Sequence, residues 1–133
     1  MGIDATEKGT LAELLFAYQA MKNGFRVSQP INHSSPYDFI LEKNNVLFRI
    51  QVKSNFSGRS GNRKAYRLSV RRGAKASHKY DTDSIDYVVA YLSEHNTFYI
   101  IPFRLVESSV LSLYPNNIEG KFFQYVNNWD LKK

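Results

Sequence analysis

No cysteine occurs among the 133 residues, so a disulfide scaffold and every Cys-based zinc site are excluded. No apolar run reaches the length of about 18 residues that a membrane span needs. The opening Met1-Gly2-Ile3-Asp4 lacks the charged-then-apolar order of a secretory signal. Met1-Gly2 with Thr6 fits a loose lipidation pattern, but helix-start chemistry explains the same residues better. Asn32-His33-Ser34 and Asn55-Phe56-Ser57 are glycosylation sequons that mean little without a secretion signal. The expectation is a cytoplasmic protein with no membrane segment, no organic cofactor and one domain spanning residues 1–133. His33, His78 and His95 are too scattered in sequence to read as a metal cluster.

Acid is absent from one long stretch. Between Ser54 and Tyr80 the chain carries 8 basic residues and no Asp or Glu: Arg59, Arg63, Lys64, Arg67, Arg71, Arg72, Lys75 and Lys79. The rest holds 10 basic and 12 acidic residues, so the net charge of +6 arises in this segment. A positive field concentrated in one place fits a surface for an anionic polymer better than general solubility. Unpaired, such a run would cost stability by self-repulsion; phosphate contacts give it a purpose.

Hydrophobic residues make 43% of the chain, enough for a real core. The pattern predicts a helix over 8–23, capped by Asp4 or Thr6 and stopped by Gly24. Leu11, Leu14, Leu15, Tyr18 and Met21 would form its apolar stripe. A short strand at 25–28 and a loop at 32–36 follow. Strands are predicted at 37–43, 46–53, 66–71, 87–92 and 97–101, with a polar, irregular stretch at 73–84. A short helix is expected within 103–113, and a final helix or packed tail over 121–133, where Phe122, Phe123 and Trp129 read as core or subunit interface.

The hairpin at 37–53 carries the chemistry. Asn44-Asn45 suits a two-residue turn with left-handed conformations, which makes Lys43 oppose Val46 and Asp38 oppose Gln51. Facing side chains on a ribbon lie about 5 Å apart, and Lys53 is the diagonal neighbour on the same face. A carboxylate, an amide oxygen and an ammonium therefore converge where the ribbon opens. Mg²⁺ (or Mn²⁺) takes such hard oxygen ligands, and a lysine beside it can orient a water and offset phosphate charge. Glu13 could add a second carboxylate from the helix. Thr10-Leu11-Ala12-Glu13 also matches a capping box, which would claim Glu13 if the helix began at Thr10.

Glu13, Ser35-Pro36-Tyr37-Asp38 and Gln51-Val52-Lys53 together resemble the PD-(D/E)XK nuclease core over residues 7–55. Tyr37 stands between Pro36 and the acid, and Gln51 occupies the (D/E) slot. Asp86-Tyr87 and Tyr99-Ile100-Ile101-Pro102 resemble a narrower branch, which holds Holliday junction resolvase-like enzymes and cyanobacterial group I intron homing endonucleases and uses Gln in that slot. The resemblance implies an α/β fold with a restriction endonuclease-like core, a mixed β-sheet flanked by helices. It implies site-specific, metal-dependent endonuclease action on double-stranded DNA, of the group I intron homing type, by a homodimer or homotetramer. Asp38, Gln51 and Glu13 would hold the metal, and Lys53 would complete the catalytic set. His33, Ser35, Arg59, Arg63, Lys64, Arg67, Arg71, Arg72 and Lys75 would contact DNA. The alternatives are a resolvase or restriction-type nuclease on the same core, and a DNA-binding module that has lost its chemistry.

Overall fold

The computed structural model describes residues 2–59, 65–70 and 84–133. Helix α1 (Ala5–Lys22) leads into β1 (Arg26–Ser28), β2 (Phe39–Lys43) and β3 (Val46–Asn55). Then come β4 (Tyr66–Ser69), β5 (Tyr87–Leu92), β6 (Thr97–Pro102) and β7 (Val110–Leu113). Five strands form one sheet in the order β1-β2-β3-β5-β6, and β4 and β7 pair as a separate ribbon. β3 and β5 run parallel while the other neighbours run antiparallel, so the sheet is mixed as expected. No helix among the described residues is long and apolar enough to cross a membrane.

The hairpin register follows from its turn. Asn44 and Asn45 both adopt positive φ, 54° and 64°, the left-handed pair that a two-residue connection requires. Lys43 then opposes Val46, and Phe39 opposes Ile50.

Helix α1 begins earlier than expected. The Asp4 side chain accepts the Glu7 N–H at 2.8 Å, and the Glu7 side chain accepts the Asp4 N–H at 3.0 Å. This reciprocal pair satisfies two of the free donors at the helix start. Thr10 therefore lies inside the helix, and Glu13 is not a cap partner.

The expected apolar stripe of α1 is corrected. Ala12, Phe16 and Ala20 face the sheet, each at most 1% exposed, whereas Leu14, Tyr18 and Met21 are more than half exposed and Leu11 is 39% exposed. Of the expected stripe, Leu15 packs against the core. Apolar residues surround this helix, so periodicity alone could not choose a face. The two alanines let it approach closely, and Phe16 enters an aromatic pocket. Its ring centroid lies 5.9 Å from Phe39, 6.0 Å from Phe98 and 5.3 Å from Trp129.

The opposite face of the sheet is covered by the β4–β7 ribbon. Tyr66, Leu68, Leu111 and Leu113 pack there on Val88, Ala90, Tyr99 and Ile101. The helix expected within 103–113 is instead a 3₁₀ turn at Phe103–Leu105 followed by β7. The inward alternation of Leu111 and Leu113 pairs with that of Tyr66 and Leu68, and this distant partner overrides local preference. The tail holds one 3₁₀ turn, Phe123–Tyr125, and then packs: Trp129 and Leu131 join the α1 side of the core. Most of the irregular stretch expected at 73–84 lies outside the described residues.

Phe16→Ala should lower unfolding free energy by about 3–5 kcal/mol, the usual cost of emptying an aromatic core site. Tyr18→Ala, on the uncovered side, should change it by less than about 1 kcal/mol. Urea unfolding of both variants checks the corrected helix face; equal losses would contradict it.

Candidate active site

Two aspartates satisfy backbone amides of β3 where its neighbouring strands begin. On the β5 side, Asp86 Oδ2 accepts the Arg49 N–H at 2.8 Å while the Asp86 N–H donates to the Arg49 carbonyl. On the β2 side, the Asp38 N–H donates to the Ile50 carbonyl at 2.8 Å, and Asp38 Oδ2 accepts the Val52 N–H at 2.8 Å. A carboxylate thus takes the place a strand carbonyl would hold, and the hairpin opens there.

The two carboxyl groups differ in their company. Burial alone would raise Asp86, but the Arg49 side chain and N–H and the Lys133 ammonium hold it below the usual carboxylate range. Arg49 Nε lies 3.1 Å and Lys133 Nζ 3.2 Å from Asp86 Oδ2. Asp38 goes the other way. Burial raises it, and the Val52 N–H and the Lys53 charge draw it back only in part. The first is a paired structural ion; the second is a carboxyl whose charge is not fully compensated, the kind of group that marks functional sites.

Gln51, 7% exposed, donates from Nε2 to Asp38 Oδ2 at 2.9 Å, with a longer contact of 3.4 Å to the Val52 carbonyl. Its amide is held by nitrogen, so the oxygen keeps its lone pairs; no described residue donates to that oxygen or to Asp38 Oδ1. Lys53, half-buried on the same face, lies near enough for its charge to act on Asp38. Glu13 enters from α1. It lines a groove of about 270 Å³ with Val27, Gln29 and Phe39. Burial pushes its carboxyl up to about 7 from the ordinary 4.5, and the nearby Asp38 charge adds to the rise.

Glu13, Asp38, Gln51 and Lys53 are thus brought together. No group of three or more His, Cys, Asp or Glu side chains gathers among the described residues. The available set is two carboxyls and one amide, all hard oxygens, with the two acids raised in a way that a cation would reverse. That chemistry fits Mg²⁺ or Mn²⁺ and not a softer metal.

Of the residues expected at DNA, the structure describes His33, Ser35, Arg59 and Arg67. His33 is exposed and Ser35 half-buried in the loop before Asp38, and Ser35 Oγ accepts the Tyr37 N–H at 3.4 Å. Arg59, before β4, and Arg67, within it, are exposed. Arg63, Lys64, Arg71, Arg72 and Lys75 lie outside the described residues. Sequence reading missed Asn55, a buried amide two residues beyond Lys53. Its Nδ2 donates to the Arg67 carbonyl at 3.0 Å, and its Oδ1 accepts the Gly58 N–H at 2.8 Å. A lone asparagine before a loop gives no signal of that double role. Also missed were Tyr114, Asn116 and Asn117, which share a depression with Arg59.

Comparison with known proteins adds to the geometry. The family described as PD-(D/E)XK endonuclease matches residues 3–132. Among solved structures, a bacterial homing endonuclease, I-Ssp6803I, aligns with a TM-score of 0.78 at 26% identity, over 97% of this chain and 90% of that one. A Holliday junction resolvase, Hjc of the archaeal hyperthermophile Archaeoglobus fulgidus, aligns with a TM-score of 0.56 at 18% identity, over 81% of this chain and 88% of that one. That second likeness is one of fold. No curated protein matches the chain significantly.

The raised Glu13 carboxyl makes stability depend on pH. The folded state keeps a proton that the unfolded chain releases near 4.5, so its contribution is fully present below about 4.5 and is lost as pH rises through about 7. Glu13→Gln should therefore melt above wild type at pH 8 and level with it at pH 4. Thermal unfolding across that range in EDTA checks this; a constant difference would place the Glu13 carboxyl in ordinary surroundings.

Proposed function

Because the chain belongs to the PD-(D/E)XK endonuclease family, we propose that it is a site-specific, divalent-metal-dependent endonuclease that hydrolyses phosphodiester bonds in double-stranded DNA, of the homing type. The observation that carries this is the opened hairpin, where Asp38, anchored by the Val52 N–H and the Gln51 amide, meets Glu13 and Lys53. The greater likeness to the homing endonuclease than to the resolvase, in identity and in coverage, favours the homing reading.

In this reading Asp38, the Gln51 amide oxygen and Glu13 hold the metal, which when bound would polarise the scissile phosphate and favour ionisation of an attacking water. The residues do the remaining work. Gln51 fixes the Asp38 carboxyl through its Nε2–H, so that Oδ2 is engaged by the Gln51 amide and the Val52 N–H. Lys53 orients the attacking water and offsets the charge that builds on the phosphate. Glu13, partly protonated near neutrality because burial raises its carboxyl to about 7, would release that proton to solvent on binding a cation. Arg59 and Arg67, with Arg63, Lys64, Arg71, Arg72 and Lys75, grip the duplex, and His33 and Ser35 approach the phosphate from the loop before Asp38. A homodimer or homotetramer would bring two such centres to two strands; the uncovered Leu14, Tyr18 and Met21 of α1 support self-association. Residues 1–133 act as one nuclease domain, at the nucleoid where the substrate lies.

Supercoiled plasmid libraries and a synthetic four-way junction, incubated in Mg²⁺ and in EDTA, test the proposal. Cuts at one or a few duplex sites are expected in Mg²⁺ alone. Asp38→Ala should abolish them, and Lys53→Ala should lower cleavage by at least about 100-fold while leaving binding close to wild type. Cleavage confined to the junction would make the protein a resolvase. Binding with no cleavage in any metal would make it a DNA-binding module on a nuclease scaffold.

A further inference from the structure

The β4–β7 ribbon has a buried face and an open one. Tyr66, Leu68, Leu111 and Leu113 turn inward and are at most 4% exposed. The alternation turns Arg67, Ser69 and Ser112 outward, and Arg67 stands directly opposite Ser112. Arg67 makes no side-chain ion pair with any described residue. The serines beside it are short, so the guanidinium stands above its surroundings. Beyond the end of β7, Tyr114, Asn116 and Asn117 border a depression of about 470 Å³ with Arg59. The open face therefore offers Arg67 and two serines, and the depression beyond β7 adds Arg59 and two asparagine amides; the Glu94 carboxylate beside Gly58 is engaged by the Tyr66 hydroxyl at 2.8 Å.

The ribbon is also held at a fixed place relative to the proposed cleavage centre. Asn55 lies two residues after Lys53, on the same face of β3 by strand alternation. Its amide binds the Arg67 carbonyl on one side and the Gly58 N–H on the other, so both its donor and its acceptor are engaged within the protein. Gly58 takes φ 87°, a conformation suited to glycine, in the turn that its N–H closes onto Asn55.

We propose that the open face of the β4–β7 ribbon, centred on Arg67 and Ser112, reads base edges in the major groove of the target duplex. This rests on the nuclease reading given above and extends it to the residues that set specificity. The major groove admits a two-stranded ribbon. An arginine fork matches the two acceptors on a guanine edge, a serine hydroxyl pairs with several edges, and the asparagine amides match adenine. A phosphate contact would need only charge; the planar fork at the centre of a ribbon flanked by short polar side chains suits bases.

The test selects bound sequences from a randomised duplex library in EDTA, using wild type, Arg67→Lys and Ser112→Ala. Both sites are exposed, so the fold is not at stake. Wild type should enrich one site. Arg67→Lys keeps the charge and loses the fork; it should enrich the same site with one or two adjacent base pairs degenerate, discrimination there falling about tenfold or more. Its salt dependence of binding should stay unchanged, because the charge is kept. Ser112→Ala should relax a neighbouring pair. Full discrimination in Arg67→Lys, uniform weakening at every position, or a wild type that enriches no sequence would each overturn the proposal. Selection in EDTA asks nothing of the chemistry. A wild type that selects a site and never cuts would therefore defeat the nuclease reading while the ribbon passes its own test.

Discussion

One hydrogen bond governs this architecture: the Val52 amide of β3 donates to the Asp38 carboxylate and not to a strand carbonyl. An interior strand cannot leave an amide unpaired without losing the worth of a hydrogen bond. Ending the β2–β3 ladder before Val52 is therefore permitted only if a side chain steps in. Asp38 does so with one oxygen, Oδ2, and the chain is free to leave the sheet at that point. Asp86 solves the same problem at the other margin of β3, but it is also gripped by Arg49 and Lys133. Two carboxylates with the same backbone duty thus end with opposite ionisation tendencies, and the difference lies in which cations the protein itself supplies. Among the described residues, the Lys53 charge and the Val52 N–H offset the burial of Asp38 only in part.

Gln51 becomes intelligible in that setting. A carboxylate in its place would be a third acid beside Asp38 and Glu13 and would have no hydrogen to offer Asp38. The amide removes one negative charge and adds one donor. It tightens the position of Asp38 at the cost of a weaker pull on a cation. Apolar packing supports the same arrangement from below. Phe16 lies three residues after Glu13, and Phe39 directly follows Asp38, and their rings meet at 5.9 Å. Turning α1 to seat Phe16 therefore also turns Glu13 toward Asp38.

The hairpin was legible because its signals are local. The Asn-Asn turn has few conformations, and period-2 alternation specifies the register, so the Asp38–Gln51 contact followed from counting residues. The choice of helix face was not legible. With Leu, Ala, Phe, Tyr and Met around much of α1, the decision rested on how closely a helix can approach a sheet, a property of the partner surface. The β7 strand was hidden for a related reason: four residues acquire a strand conformation only through β4, a pairing distant in sequence. Asn55 escaped notice because its role is to bind backbone groups, which any sequence would present. Local chemistry announced itself, and the long-range decisions depended on surfaces that form only in the fold.

The last-made part of the core has a bearing on synthesis. Trp129 stacks on Phe16 and lies 6.1 Å from Phe25, while the Lys132 backbone both accepts from and donates to the Tyr87 hydroxyl. The first helix and the residue that roofs it stand at opposite ends of the described sequence. Translation proceeds from the N-terminal side, so α1 waits with an open aromatic pocket until Trp129 arrives. Closing that contact spans nearly the whole chain and belongs among slow, non-local events. A growing chain carries Glu13, Asp38, Gln51 and Lys53 long before it can hold them rigidly.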